Sequence, residues 1–162
     1  MRISKSVLVG FTIAAAAAGA GLYFQYVAGK ASPIGLLRPG DSAIVAAGKT
    51  TYATNCASCH GANLEGEPNW RKPNPDLTMP APPHSKRGHT WHHADQILFD
   101  LTKYGVAKFI KQGSYKSNMP AYEGVLSDDE IIAVLSYIKS TWPKDVQDRH
   151  NQLNAQVEKA EK

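Results

Sequence analysis

The sequence predicts an all-α domain, and three observations carry this prediction. Segment 41–52 begins with Asp41, a favourable N-cap residue, and continues in residues that suit a helix. Ser127 and Glu130 have the spacing of a capping box. Segment 61–93 is too rich in proline to form a helix or a central strand. We therefore expect helices that are joined by a long irregular loop.

Two further helices complete the predicted domain. After the capping box, apolar residues recur at helical spacing until Pro143 stops the run. These apolar residues are Ile131, Val134, Leu135 and Ile138. Residues 94–105 also fit a helix, with Gly105 just beyond its end.

Composition divides the rest of the chain into a linker, a domain and a tail. Segment 30–40 contains two prolines and two glycines, which predicts a linker ahead of a domain over 41–143. The polar tail over 144–162 is expected to be a frayed helix or disordered. A domain of this size buries only a modest core, so a bound cofactor would help it to fold.

The N-terminal segment, residues 1–29, resembles an export or anchoring signal. Arg2 and Lys5 precede an apolar run over 7–24, which is long enough to span a bilayer as a hydrophobic helix. The run is rich in alanine, however, and Val27-Ala-Gly29 could serve as a cleavage site. Both a signal anchor and a cleaved signal peptide remain open. Either places the domain in a bacterial periplasm, anchored to the inner membrane in the first case.

The only two cysteines, Cys56 and Cys59, stand three positions apart and are followed directly by His60. A zinc site would need a second ligand pair at matching spacing, and a thioredoxin-like site would need a preceding strand. A structural disulfide would leave the histidine unexplained. Covalent haem c explains all three residues, with the cysteines as thioether anchors and the histidine as an axial iron ligand. The export signal agrees, since this haem is attached outside the cytoplasm.

A second axial ligand to the iron would come from one of two methionines, because Met1 is the start of the chain. Met79 follows His60 by only 19 residues within a proline-rich segment. Met119 follows it by 59, which is enough chain to reach the opposite face of a haem. We therefore predict Met119 as the ligand.

At this point the chain resembles the class I monohaem c-type cytochromes over residues 41–143. Gly48 and Tyr52 precede the cysteines where this family has a small and an aromatic residue. Met119-Pro120 matches the family's axial Met-Pro, and Tyr137 stands where an aromatic residue crosses the N-terminal helix near Gly48.

The resemblance implies the class I cytochrome c fold, with three to four helices and proline-rich loops around one covalent haem c. It implies a one-electron carrier, not an enzyme, which serves redox protein partners such as a terminal oxidase or another respiratory complex. The family also binds its axial histidine to a proline carbonyl, for which Pro82 and Pro83 both remain open. If Met119 did not bind iron, a haem enzyme or gas sensor with an open sixth position would be the alternative.

A histidine-rich loop is not explained by the haem. It contains His84, His89, His92 and His93. A copper-handling site, a docking or pH-sensitive surface and an alternative axial ligand are functional interpretations. The structural interpretation is that Trp91 packs on the core or the haem while the histidines make loop and N-cap hydrogen bonds.

Charge is unevenly distributed along the chain. Residues 71–117 carry eight Lys or Arg against three acids, whereas residues 118–162 carry five against eight. Six cations of the middle region either steer an acidic partner to the haem edge or form an ordinary solvated surface. They are Lys86, Arg87, Lys103, Lys108, Lys111 and Lys116. Nucleic-acid binding has little support, because the net charge of +4 includes two N-terminal cations.

Overall fold

The computed structural model describes residues 35–109 and 116–160. The predicted hydrophobic segment 1–29 lies outside these residues. Among the helices within the described ranges, none is both long and apolar enough to cross a membrane.

The described part of the chain is helical, which confirms the all-α prediction. Its β-structure is limited to an isolated parallel bridge between Thr78 and Lys116. A 3₁₀ turn over Thr90–His92 precedes the third helix. In chain order the helices are α1 (Ser42–Asn55), α2 (Ala57–His60), α3 (Asp95–Tyr104), α4 (Val106–Phe109), α5 (Asp128–Ser140) and α6 (Lys144–Ala160).

The helix ends follow the predicted capping signals. The Asp41 carboxylate accepts hydrogen bonds from two backbone N–H groups of the first turn of α1. Ser127 and Glu130 form the predicted capping box at the start of α5. Gly105 ends α3 with φ +83°, a conformation that residues with a Cβ rarely adopt.

The crossing of α1 over α5 is the main helix contact of the domain. A Cβ placed on Gly48 would lie 1.9 Å from the backbone oxygen of Ala133 and 3.0 Å from Cβ of Tyr137. Tyr52, one turn further along α1, packs its ring 5.5 Å from that of Tyr137. The predicted close approach of Gly48 and Tyr137 is therefore confirmed.

The core extends upstream of the predicted domain start at Asp41. Leu37 is 1% exposed and belongs to the main hydrophobic cluster. Its N–H donates to a carboxylate oxygen of Asp95 at 2.9 Å, and the N–H of Arg38 donates to the hydroxyl of Ser136 at 2.9 Å. The second part of the predicted linker is thus a packed part of the domain.

The tail, which was predicted to be a frayed helix or disordered, forms the helix α6 and packs one face against the domain. Val146, His150 and Asn154 form its buried face at a spacing of four residues. The carbonyl of Pro143 accepts hydrogen bonds from its first turn, so this proline ends one helix region and begins the next. Two of the three buried residues are polar, which explains why hydrophobic periodicity did not reveal this face.

Candidate haem site

The two cysteines lie on one helical turn at the junction of α1 and α2. The carbonyl of Cys56 accepts the N–H groups of Cys59 at 3.2 Å and of His60 at 2.9 Å. Residues three apart on such a turn share a face, so both side chains project to the same side. Both thiols are free, that of Cys56 half-buried and that of Cys59 exposed.

The environment of the Cys56 thiol does not suit thiol–disulfide chemistry. Burial, assisted by the proximity of Cys59, raises the pKa of Cys56 to about 11. Reactive redox cysteines instead have a lowered pKa that exposes the thiolate. The Cys56 thiol therefore lacks the character of a reactive redox cysteine.

His60 is held with one ring nitrogen occupied. The ring is buried, and its Nδ1–H donates to the carbonyl of Pro82 at 2.8 Å. The geometry selects Pro82 over Pro83 for this bond and leaves Nε2 for a metal. Burial lowers the pKa of His60, which favours the neutral imidazole that binds metals.

The proline-rich loop over 61–93 folds back onto the histidine, as predicted. The carbonyl of His60 accepts the N–H of Gly66 at 2.8 Å, and the Tyr52 hydroxyl donates to the carbonyl of Gly61 at 2.8 Å. The Glu67 N–H then donates to the carbonyl of Ala81 at 2.8 Å, and the Ala81 N–H donates to the Glu67 carboxylate, which brings Pro82 towards the ring. The loop thereby forms a wall on the Nδ1 side of His60.

Met119 lies in a segment that is tied to the cysteine-bearing turn through Tyr122. The Tyr122 hydroxyl donates to the carbonyl of Asn55 at 2.6 Å, directly before Cys56. The N–H of Tyr122 donates to the carbonyl of Thr102 at the end of α3. Sequence reasoning overlooked Tyr122, although an aromatic residue three positions after the methionine was a visible signal.

Met79 belongs to the proline-rich loop that contacts His60 through Pro82. It is half-buried, as Met119 is, and it lies three residues before Pro82 in the same loop. The neighbouring Thr78 pairs with Lys116, so the two methionine segments approach each other.

The four loop histidines have separate main contacts, although the rings of His89 and His93 also meet edge-on at 5.4 Å. His84 stacks on His60, His89 on Trp70 and His92 on Trp91. The carbonyl of His93 accepts a hydrogen bond from His150. Within 35–109 and 116–160, no three His, Cys, Asp or Glu side chains are grouped to hold a metal ion, so the copper interpretation gains no support.

The structural interpretation of this loop is only partly right. Trp91 packs against the core, and His84 makes a loop hydrogen bond with Thr90. No histidine caps α3, however. Its N-cap is Ala94, and the first N–H of the helix donates instead to the side chain of Asn154 on α6.

Two of the six predicted surface cations interact with other side chains of the domain. Lys103 forms an ion pair with Asp128 at 2.7 Å, and Lys108 lies over the ring of Tyr104. Lys111 is outside the described residues. Lys86, Arg87 and Lys116 are exposed or half-buried at the surface.

These residues fit a covalent haem. Two free thiols on one helical face would supply the thioether anchors, and a buried imidazole with its Nδ1 occupied would supply an iron ligand. This donor set in an all-α domain defines a class I monohaem c-type cytochrome.

Comparisons with known proteins agree with this class. Residues 45–142 match the Cytochrome c family. The chain is 34% identical over 97 residues to cytochrome c6 of Tetradesmus obliquus, which covers 60% of this chain and 90% of that protein. No solved structure matches the chain with comparable significance. The chain belongs to the cytochrome c family, and it is a haem c electron-transfer protein, not an enzyme.

Proposed function

We propose that Cys56 and Cys59 carry the haem, that His60 and Met119 are its axial ligands, and that the protein carries single electrons. When bound, the haem supplies an iron that alternates between Fe(II) and Fe(III). The hydrogen bond from His60 to Pro82 at 2.8 Å is the observation that most supports this assignment, since it orients Nε2 and increases its basicity.

The choice of Met119 over Met79 is supported by the different contacts of the two segments that carry these methionines. Met79 belongs to the loop whose Pro82 carbonyl contacts His60 from the side that faces away from a metal. Met119 belongs to the segment that Tyr122 ties to the start of the cysteine-bearing turn. A ligand opposite the histidine is therefore better supplied by Met119. A thioether ligand raises the potential, which suits a donor to a respiratory acceptor.

The ligand assignment is tested by visible absorption of Met119→Ala and of the matched variant Met79→Ala. A ferric sulfur-to-iron charge-transfer band in the far red reports methionine ligation. We expect Met119→Ala to lose this band completely and Met79→Ala to retain it. The reverse pattern would assign the ligand to Met79.

We further propose that the domain works on the periplasmic face of a bacterial inner membrane and donates electrons to a terminal oxidase or another respiratory complex. The basic N-terminal flank and the apolar run over 7–24 support this location. N-terminal sequencing of the mature protein separates an anchor that begins at Met1 from a signal that is cleaved near residue 29. The partner is tested by mixing the reduced protein with membranes of the source organism, and failure to reoxidise it would exclude a respiratory acceptor there.

A further inference from the structure

His84 lies face to face with the proposed iron ligand although it is not itself part of the donor set. The ring centroids of His60 and His84 are 4.0 Å apart, and the planes are inclined by 24°. This is a stacked contact between two flat rings, close enough to restrict how far the plane of His60 tilts.

The position of His84 is fixed from several directions. Its Nδ1 is hydrogen-bonded to the hydroxyl of Thr90 at 2.9 Å, and its N–H donates to the carbonyl of Leu64 at 3.0 Å. Its own carbonyl accepts the indole N–H of Trp142 at 2.7 Å. Trp142 is 3% exposed, so this last contact connects the loop to the core behind α5. A ring held by this many neighbours is a rigid surface for His60.

The Pro82 and His84 contacts restrict different motions of His60. A hydrogen bond at Nδ1 fixes the direction of one ring nitrogen, but it allows the ring to rock about that bond. A stacked neighbour opposes this rocking, because tilting would press one ring edge into the other ring. The orientation of an axial imidazole plane affects its overlap with the iron d orbitals, and groups around a ligand tune a metal's potential in this way.

We propose that His84 is a positioning residue that fixes the plane of His60 and thereby tunes the reduction potential of the haem. The inference rests on the proposed function, since it takes His60 as the iron ligand. The stacked ring is the active feature, and the hydrogen bond to Thr90 maintains its orientation.

The test compares His84→Ala with His84→Phe, which keeps a flat ring, and with the control His92→Ala. His92 is exposed and stacks only on Trp91, away from His60. The readouts are the g-values of the ferric protein in electron paramagnetic resonance, the midpoint potential and the far-red band. We expect His84→Ala to shift the g-values and the potential, His84→Phe to return both towards the wild-type values, and His92→Ala to change neither. Thr90→Val, which keeps the histidine but frees its ring, should shift them in the same direction by less.

Several results would overturn the proposal. Wild-type g-values and potential in His84→Ala, even with reduced stability, would reduce the residue to a packing role. A shift in His84→Phe as large as that in His84→Ala would exclude the stacked ring as the cause. The far-red band distinguishes a failure of the His84 proposal from a failure of the proposed methionine ligation. Its presence in all variants with unchanged g-values overturns only the role of His84. Its absence from the wild type overturns the proposed Met119 ligation, while the g-values of the variants still test the contact between His84 and His60.

Discussion

Gly48→Ala is expected to destabilise the protein by at least about 3 kcal/mol. An extra methyl group in a packed core costs most when the atoms that it meets belong to the backbone and cannot rotate away. The added Cβ would lie 1.9 Å from the carbonyl oxygen and 2.4 Å from the carbonyl carbon of Ala133. These atoms belong to α5, so the clash is relieved only by moving the helix. Alanine gains about 1 kcal/mol over glycine in helix propensity, which is smaller than the expected clash. The net effect is a loss.

The measurement is urea unfolding of the haem-loaded protein, followed by far-ultraviolet circular dichroism. Gly40→Ala is the matched control, since a Cβ there meets nothing within 4 Å. We expect that control to remain within about 0.5 kcal/mol of the wild type. If Gly48→Ala were as stable as Gly40→Ala, the close crossing of α1 and α5 would be wrong.

Asp95→Ala is expected to cost about 3–5 kcal/mol, because it leaves a buried cation without its partner. The Asp95 and Lys139 side chains are 3% and 1% exposed, and their charged atoms are 3.6 Å apart. Burial lowers the pKa of Lys139, and the charge and hydrogen bond of Asp95 offset part of this effect. The substitution also removes the acceptor of the Leu37 N–H. Asp95 thus holds together the segment at Leu37, α3 and α5.

The helix α6 depends on the same carboxylate. Nε2–H of His150 donates to the carbonyl of His93 at 2.8 Å and lies 3.5 Å from Asp95. Asp148→Ala is the matched control, because it removes an exposed i,i+4 ion pair with Lys144 on that helix. Such a pair contributes about 0.5 kcal/mol or less. Equal losses in the Asp95 and Asp148 variants, measured by the same urea titration, would contradict the buried network.

The helices and the haem motif were predictable because their signals are local. Asp41, Ser127 and Gly105 act through neighbouring backbone groups, so their roles are visible within a few residues of sequence. The motif from Cys56 to His60 is equally compact. The crossing at Gly48 required the family resemblance, since the sequence alone does not say which helix lies opposite.

The missed features depend on contacts between distant residues. Leu37 and Asp95 are hydrogen-bonded although they are 58 residues apart in the sequence, and the same separation holds for Trp142 and His84. The buried face of α6 is largely polar, so it leaves no hydrophobic periodicity in the sequence. Its polar groups can be buried because distant parts of the fold supply their hydrogen-bond partners. For the same reason the sequence left the role of His84 open between several functional interpretations and loop hydrogen bonding, and it did not show that this ring packs on His60.

The central claim is a single haem c that cycles by one electron with both axial positions filled by the protein. A potentiometric titration of the full-length holoprotein, followed by visible absorption, tests this most directly. We expect one haem per chain, a single one-electron transition and a far-red sulfur band in the ferric form. A ferric spectrum without that band, together with a ferrous form that readily binds carbon monoxide, would show an open sixth position and contradict it.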